Sequence, residues 1–285
     1  MPIQRNQEQP DIPELIKAHL DQRDDFDLEL DVLRSLKEQG WATEHSGTYI
    51  DPTEFKPRQF DVSAWKEFER DCVVYMAAEC KNVGGNFPVV VSSVLRDYDE
   101  AYHDVLWSTP VAPSGRGAEA RASRINVEHQ PSMLYRGRRE VGKSIAQPDL
   151  RDPSRKAPSD ENPYSKWSQA IAASGSKLPQ ITDHMLRQGQ DLYSFLVPVL
   201  IVSDDALWVV AYAEDGTRHE PQKVKETTLF VDRPFEHSAL NIKYTITHLH
   251  ICTRSGFRDF LAKLEQPGMV DRIFDPIRRE RLRNE

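Results

Sequence analysis

Apolar and polar residues follow two successive rhythms along this chain. Up to residue 40 the apolar positions recur every three or four residues, the period of a helix with one buried face. A helix is predicted over residues 12–20, with Pro13 in its first turn, and a second over residues 25–39, closed by Gly40. From Trp41 the pattern shortens. Residues 41–50, 59–68 and 73–81 read as three strands, separated by Asp51-Pro52 and bounded by Asn82-Val83-Gly84-Gly85-Asn86.

The middle of the chain is less regular. Residues 89–98 are apolar without a decisive period, and residues 110–163 are rich in Pro, Ser, Gly and Arg. That stretch reads as a long insertion or mobile arm. Helices are predicted over residues 164–174 and 183–193, and paired strands over 195–202 and 206–212 around Ser203-Asp204-Asp205. Further strands fall at 228–231 and 244–252, then a helix at 256–264 with Ser255 as its N-cap. The simplest organisation is one α/β domain over residues 24–265, with the insertion at about 110–163. A polar arm and helix (1–23) precede it and a basic tail (266–285) follows.

Composition narrows the classes. Over 285 residues, 39% are apolar and 29% charged, a globular chain with a polar surface. No run approaches the roughly 18 apolar residues that span a bilayer, and residues 1–14 contain no apolar signal segment. The cysteines at 72, 80 and 252 form no Cys-x-x-Cys pair and suit a reduced compartment, so a cytoplasmic chain is expected. A net charge of -8 speaks against nucleic acid as a partner, but the charge is skewed. Residues 8–31 hold nine acids and two bases, whereas residues 112–145 hold seven bases and three acids. Those bases, Arg116, Arg121, Arg124, Arg136, Arg138, Arg139 and Lys143, are candidate contacts for nucleic-acid phosphates.

Three carboxylates stand inside apolar patterns. On the strand Cys72-Val73-Val74-Tyr75-Met76-Ala77-Ala78-Glu79-Cys80-Lys81, alternation puts Val73, Tyr75, Ala77, Glu79 and Lys81 on one face. Asp61 lies in the preceding strand, at a separation that lets it meet Glu79 at one end of an antiparallel pair. On the helix, stepping ~100° per residue from Phe26 puts Glu29 near 300°, among Leu36, Leu33 and Leu30. Asp27, Asp31, Arg34 and Glu38 fall on the opposite side. A carboxylate on an apolar face is costly unless a cation or donor meets it.

With these residues the chain resembles the PD-(D/E)XK nuclease superfamily, the restriction-endonuclease-like fold. The resemblance covers roughly residues 24–82 and rests on Asp61, on Glu79-Cys80-Lys81, and on Glu29 on the first helix. Phe60 replaces the proline before the aspartate. The resemblance implies a mixed central sheet flanked by helices, here with a large basic insertion. It implies a metal-dependent nuclease hydrolysing phosphodiester bonds, in DNA, with Mg²⁺ or Mn²⁺ as cofactor. Asp61, Glu79 and the Cys80 carbonyl would hold the ion, Lys81 would orient water or stabilise charge, and Glu29 would serve a second ion or its water. As partners it implies nucleic acid, with a homo-oligomer or partner subunit left open. Two alternatives stand beside it: core ion pairs, Glu79 with Lys81 and Glu29 with an Arg, or a non-catalytic nucleic-acid-binding or assembly subunit on the same fold.

Other motifs point elsewhere. Gly137-Arg138-Arg139-Glu140-Val141-Gly142-Lys143-Ser144 matches a phosphate-binding GxxxxGKS string, but Pro148 cuts short the helix such a loop needs. His248, His250 and Cys252 share one strand face without an evident fourth zinc ligand, and read as core. The arginines at 278, 279, 281 and 283 read as a solvated helix end.

Overall fold

The computed structural model describes residues 11–23, 25–68, 71–83, 86–110, 117–126, 140–152 and 161–284. The chain opens with α1 (Ile12–Arg23) and α2 (Phe26–Glu38). Five strands follow: β1 (Ala42–His45), β2 (Thr48–Ile50), β3 (Pro57–Gln59), β4 (Val62–Phe68) and β5 (Cys72–Lys81). Next come β6 (Val89–Leu95), β7 (Tyr102–Thr109), β8 (Glu119–Asn126) and β9 (Glu140–Ala146). Helices α3 (Glu161–Ser176) and α4 (Leu178–Gln188) lead to β10 (Leu192–Val202) and β11 (Leu207–Ala211). The chain continues through β12 (Gln222–Lys223), β13 (Glu226–His237), β14 (Ile242–Thr253), α5 (Arg254–Leu264) and α6 (Asp271–Asn284).

Twelve strands form one mixed sheet in the order β1-β4-β5-β10-β14-β13-β9-β6-β11-β12, with β7 joined to β10 and β8 beside it. The short β2–β3 hairpin stands apart. Helices cover both faces, so the fold is α/β with a large mixed sheet flanked by helices. Side-chain alternation on β5 divides the two cores. Cys72, Val74, Met76, Ala78 and Cys80 pack with Leu28, Val32 and Leu36 of α2, Phe257 and Leu261 of α5, and Phe274 of α6. The opposite face packs Leu196 and Leu200 of β10 against Ile171 of α3 and Ile181 and Met185 of α4.

Several expectations change. The runs 195–202 and 206–212 are not a hairpin. β10 is buried along its whole length and lies between β5 and β14, parallel to both, while β11 pairs with β6 and β12. A strand apolar on both faces belongs in the sheet centre, where helices cover both sides. The basic stretch is only in part an insertion, because β8 pairs along β7 and β9 lies between β6 and β13. The C-terminal segment is not a plain tail, since Ile273, Phe274 and Ile277 of α6 are buried in the core. The N-cap of α5 is Thr253, whose Oγ1 accepts from the Gly256 amide at 3.1 Å, not Ser255. α4 ends at Gln188, where Gly189 takes a left-handed φ of 62°.

The buried face of α2 is rotated from the expected one. Leu28, Asp31, Val32, Ser35 and Leu36 are buried, and Glu29 lies at the rim. Asp31 is buried because two guanidiniums of α5 reach it, Arg254 Nε at 2.8 Å and Arg258 Nη2 at 2.6 Å. Those donors hold its carboxyl below the usual carboxylate range, against the effect of burial. No helix among the described residues is long and apolar enough to cross a membrane, and all three cysteines are free and buried.

Candidate active site

The register between β4 and β5 puts two acids side by side. Val62 pairs with Ala78 at the end of the ladder, so Asp61, one step before, stands across from Glu79. Both step away from a pair whose side chains enter the α2-side core, and both therefore project on the α3 side. Asp61 Oδ2 accepts the Cys80 amide at 2.8 Å. In an extended strand a residue's N–H and C=O point to the same edge, so the Cys80 carbonyl faces the Asp61 side too.

Glu79 is only 1% exposed. Its carboxylate faces the backbone and carboxylate of Asp61 and the ammonium of Lys166. Burial, and then the like charge of Asp61, push its pKa well above the usual carboxylate value, and Lys166 opposes this in part. Lys166, on α3, lies 3.2 Å from Asp61 Oδ2 and 3.5 Å from Glu79 Oε2. Burial works against its charge, but the carboxylates of Asp61 and Glu79 outweigh it and hold the ammonium pKa above its ordinary value.

Lys81 leaves the same strand face two residues on. Its Nζ donates to Gln147 Oε1 at 3.0 Å, and Gln147 Nε2 in turn donates to the Phe87 carbonyl at 2.9 Å. Burial, offset in part by Asp25, lowers the Lys81 pKa. Asp25, the N-cap residue of α2, accepts the Asn82 amide at 2.5 Å. Burial raises its pKa against that bond and against the charge of Lys166. Ser203 secures the same turn, bonding Asn82 Oδ1 at 2.6 Å and accepting the Val83 amide at 3.0 Å.

Asp61 and Glu79 thus stand side by side at the end of β5 with Lys166 against them, while Lys81 turns to Gln147 and Asp25 holds the turn that follows; the sequence reading passed over Lys166 and Asp25. The signal for Lys166 was its spacing: it precedes the buried Ala170 by one helical turn and Ala173 by two, and so continues the buried stripe of α3. Asp25 was hidden in the acidic run, where it read as surface charge. Glu29 takes a different place. Its Oε2 pairs with His45 Nε2 at 2.9 Å on the α2 side of the sheet. The Cys80 thiol is buried and its pKa pushed well up, so that residue offers a metal its carbonyl rather than a thiolate.

The donor set is hard oxygen: two carboxylates and a backbone carbonyl. It suits Mg²⁺ or Mn²⁺.

The other candidates resolve differently. Of the basic residues, Arg121 pairs with Glu119, Arg124 lies 3.4 Å from Asp104 and over the Tyr102 ring, and Lys143 pairs with Glu100. Arg116, Arg136, Arg138 and Arg139 lie outside the described residues. The GxxxxGKS string forms no phosphate loop, since Glu140 to Ser144 lie within β9 rather than at a helix entry. His248, His250 and Cys252 are core residues of β14, with His250 ringed against Phe260 at 4.9 Å. Asp71, Cys72 and Asp271 are close enough to hold an ion, but Arg278 sits among them. Its Nη2 is 2.5 Å from Asp71 and 3.0 Å from the Cys72 sulfur, and its Nη1 is 2.5 Å from Asp271. Arg278 is therefore a structural cation rather than part of a solvated helix end.

Comparison with protein-family models, with curated proteins and with solved structures finds no match.

Proposed function

We propose that the chain is a metal-dependent nuclease on a restriction-endonuclease-like core, hydrolysing phosphodiester bonds in DNA. The observation that supports this reading is the side-by-side placing of Asp61 and Glu79 at the end of two neighbouring strands, with Lys81 two residues on along the same strand face. A series of elements supports it: a helix (α2), three antiparallel strands (β1, β4, β5), a helix (α3) and a strand parallel to the third (β10), with β2–β3, β6–β9 and α4 interposed in the chain. Asp61, Glu79 and the Cys80 carbonyl would hold Mg²⁺ or Mn²⁺, which when bound activates water and neutralises charge building on the phosphate. Lys81, on the same strand face as Glu79 and bonded to Gln147, would supply the point charge that stabilises the transition state. Asp25 anchors the Asn82 turn that fixes the end of β5, and so positions Lys81.

A second reading is a non-catalytic nucleic-acid-binding or assembly subunit on the same fold. The burial of Glu79 and its pairing with Lys166 favour it. The two divide in a cleavage assay on plasmid, linear duplex and single-stranded DNA, and on RNA, with Mg²⁺ or Mn²⁺. The nuclease reading expects cleavage by the parent chain and a loss on the order of 10²-fold or more in Asp61→Ala and Lys81→Ala, both folded. Absence of cleavage on every substrate, or cleavage that survives both substitutions and EDTA, rejects it.

A further inference from the structure

We infer that the Lys166 ammonium is a built-in counter-cation of the Asp61–Glu79 pair, which a divalent ion has to displace before the site can bind metal. The inference rests on the metal-dependent reading above and concerns its regulation. Two carboxylates side by side at the buried end of a sheet draw a cation toward them. Lys166 meets that need, at 3.2 Å from Asp61 and 3.5 Å from Glu79. Lys81 does not: its ammonium bonds Gln147, and among the described residues it pairs with neither acid. Of the two lysines near the end of β5, Lys166 is therefore the one whose ammonium faces both acids.

A doubly charged ion held by the same oxygens would repel the ammonium at this separation. Lysine is able to leave. Its four-carbon stem is flexible, and the side chain is 26% exposed, so a rotamer change carries the charge to water. The helix need not move, because Ala170, Ile171 and Ala173 fix α3 to the sheet. Metal affinity is then set by a competition, and at low divalent-ion concentration the site stays closed on its own lysine.

The test is calorimetric titration of the full chain with Mn²⁺ and with Mg²⁺, at one pH and ionic strength, for the parent, Lys166→Gln and Lys166→Arg. Lys166→Gln is expected to bind at least about tenfold more tightly than the parent, while Lys166→Arg stays near the parent. Without metal, Lys166→Gln should melt below the parent, and Mn²⁺ should raise its melting temperature by more. A merely structural lysine would loosen metal binding when removed. Lys166→Met keeps the packing of the stem and carries the same expectation should Lys166→Gln fail to fold. Equal or weaker Mn²⁺ binding by a folded variant overturns the inference and leaves the metal-dependent reading standing. Absence of Mn²⁺ binding in every protein overturns that reading, and the inference with it.

Discussion

Acid should destabilise this protein from about pH 6.5 downward through histidines in the core. His103 on β7 and His250 on β14 are buried, with pKa values pushed down to about 3, burial being the main cause in each. For His103 the charge of His250 adds to the effect, and His248 is lowered in the same direction, again chiefly by burial. In the unfolded chain a histidine titrates near 6.5. Between these two values the unfolded state binds more protons, so unfolding becomes easier as pH falls. The stabilisation is complete above pH 6.5 and disappears as pH drops toward 3. By pH 4.5 each histidine would account for roughly 2–3 kcal/mol. The two are coupled, so their joint effect is smaller than the sum. Glu79, whose pKa is raised, works in the opposite direction over part of this range. Urea unfolding followed by tryptophan fluorescence at pH 7.5, 6.5, 5.5 and 4.5 measures the total. The same series on His103→Gln cancels every other titrating group and isolates one histidine. The variant should show a shallower loss from pH 6.5 to 4.5, by about 2 kcal/mol. Identical pH slopes in parent and variant would refute the reasoning.

Other outcomes follow from individual contacts. Arg278→Met leaves Asp71 and Asp271 without their cation and should cost roughly 2 kcal/mol or more in urea unfolding, with Arg278→Lys recovering part. Gly256→Ala would place a Cβ 2.0 Å from the Lys225 carbonyl oxygen, a backbone atom that cannot move aside, and should lower stability by about 1–3 kcal/mol. Asp31→Asn removes the charge that Arg254 and Arg258 converge on, and should lower the melting temperature while leaving metal binding at Asp61 and Glu79 unchanged.

What could be read from the sequence divides along physical lines. Strand alternation on β5 is a local property, so the shared face of Glu79 and Lys81 was readable from residue order alone, as was the stop of α2 at Gly40. The wheel of α2 misplaced Glu29 and Asp31, because the buried face is decided by Arg254 and Arg258, more than 200 residues downstream. Periodicity carries no record of such a partner. The same holds for the central strand β10: its apolar run marks burial on both faces, but its neighbours β5 and β14 are set by long-range pairing rather than by the turn that follows it. Strands β8 and β9 were obscured by their arginines, glycines and serines, a composition that resembles a loop until the sheet supplies hydrogen-bond partners. Lys166 and Asp25 escaped for a related reason. Each is an ordinary surface residue type: the closure of α3 over β5 gives Lys166 its role, and the approach of the start of α2 to Asn82 gives Asp25 its own.

The most direct test is a crystal of the full chain soaked in Mn²⁺ and measured for anomalous scattering. The account predicts one peak shared by the carboxylates of Asp61 and Glu79 and the Cys80 carbonyl, at about 2.0–2.3 Å from the oxygens, with the Lys166 ammonium swung away. A map without a peak there, and with Lys166 still 3.2 Å from Asp61 as it stands now, would contradict it.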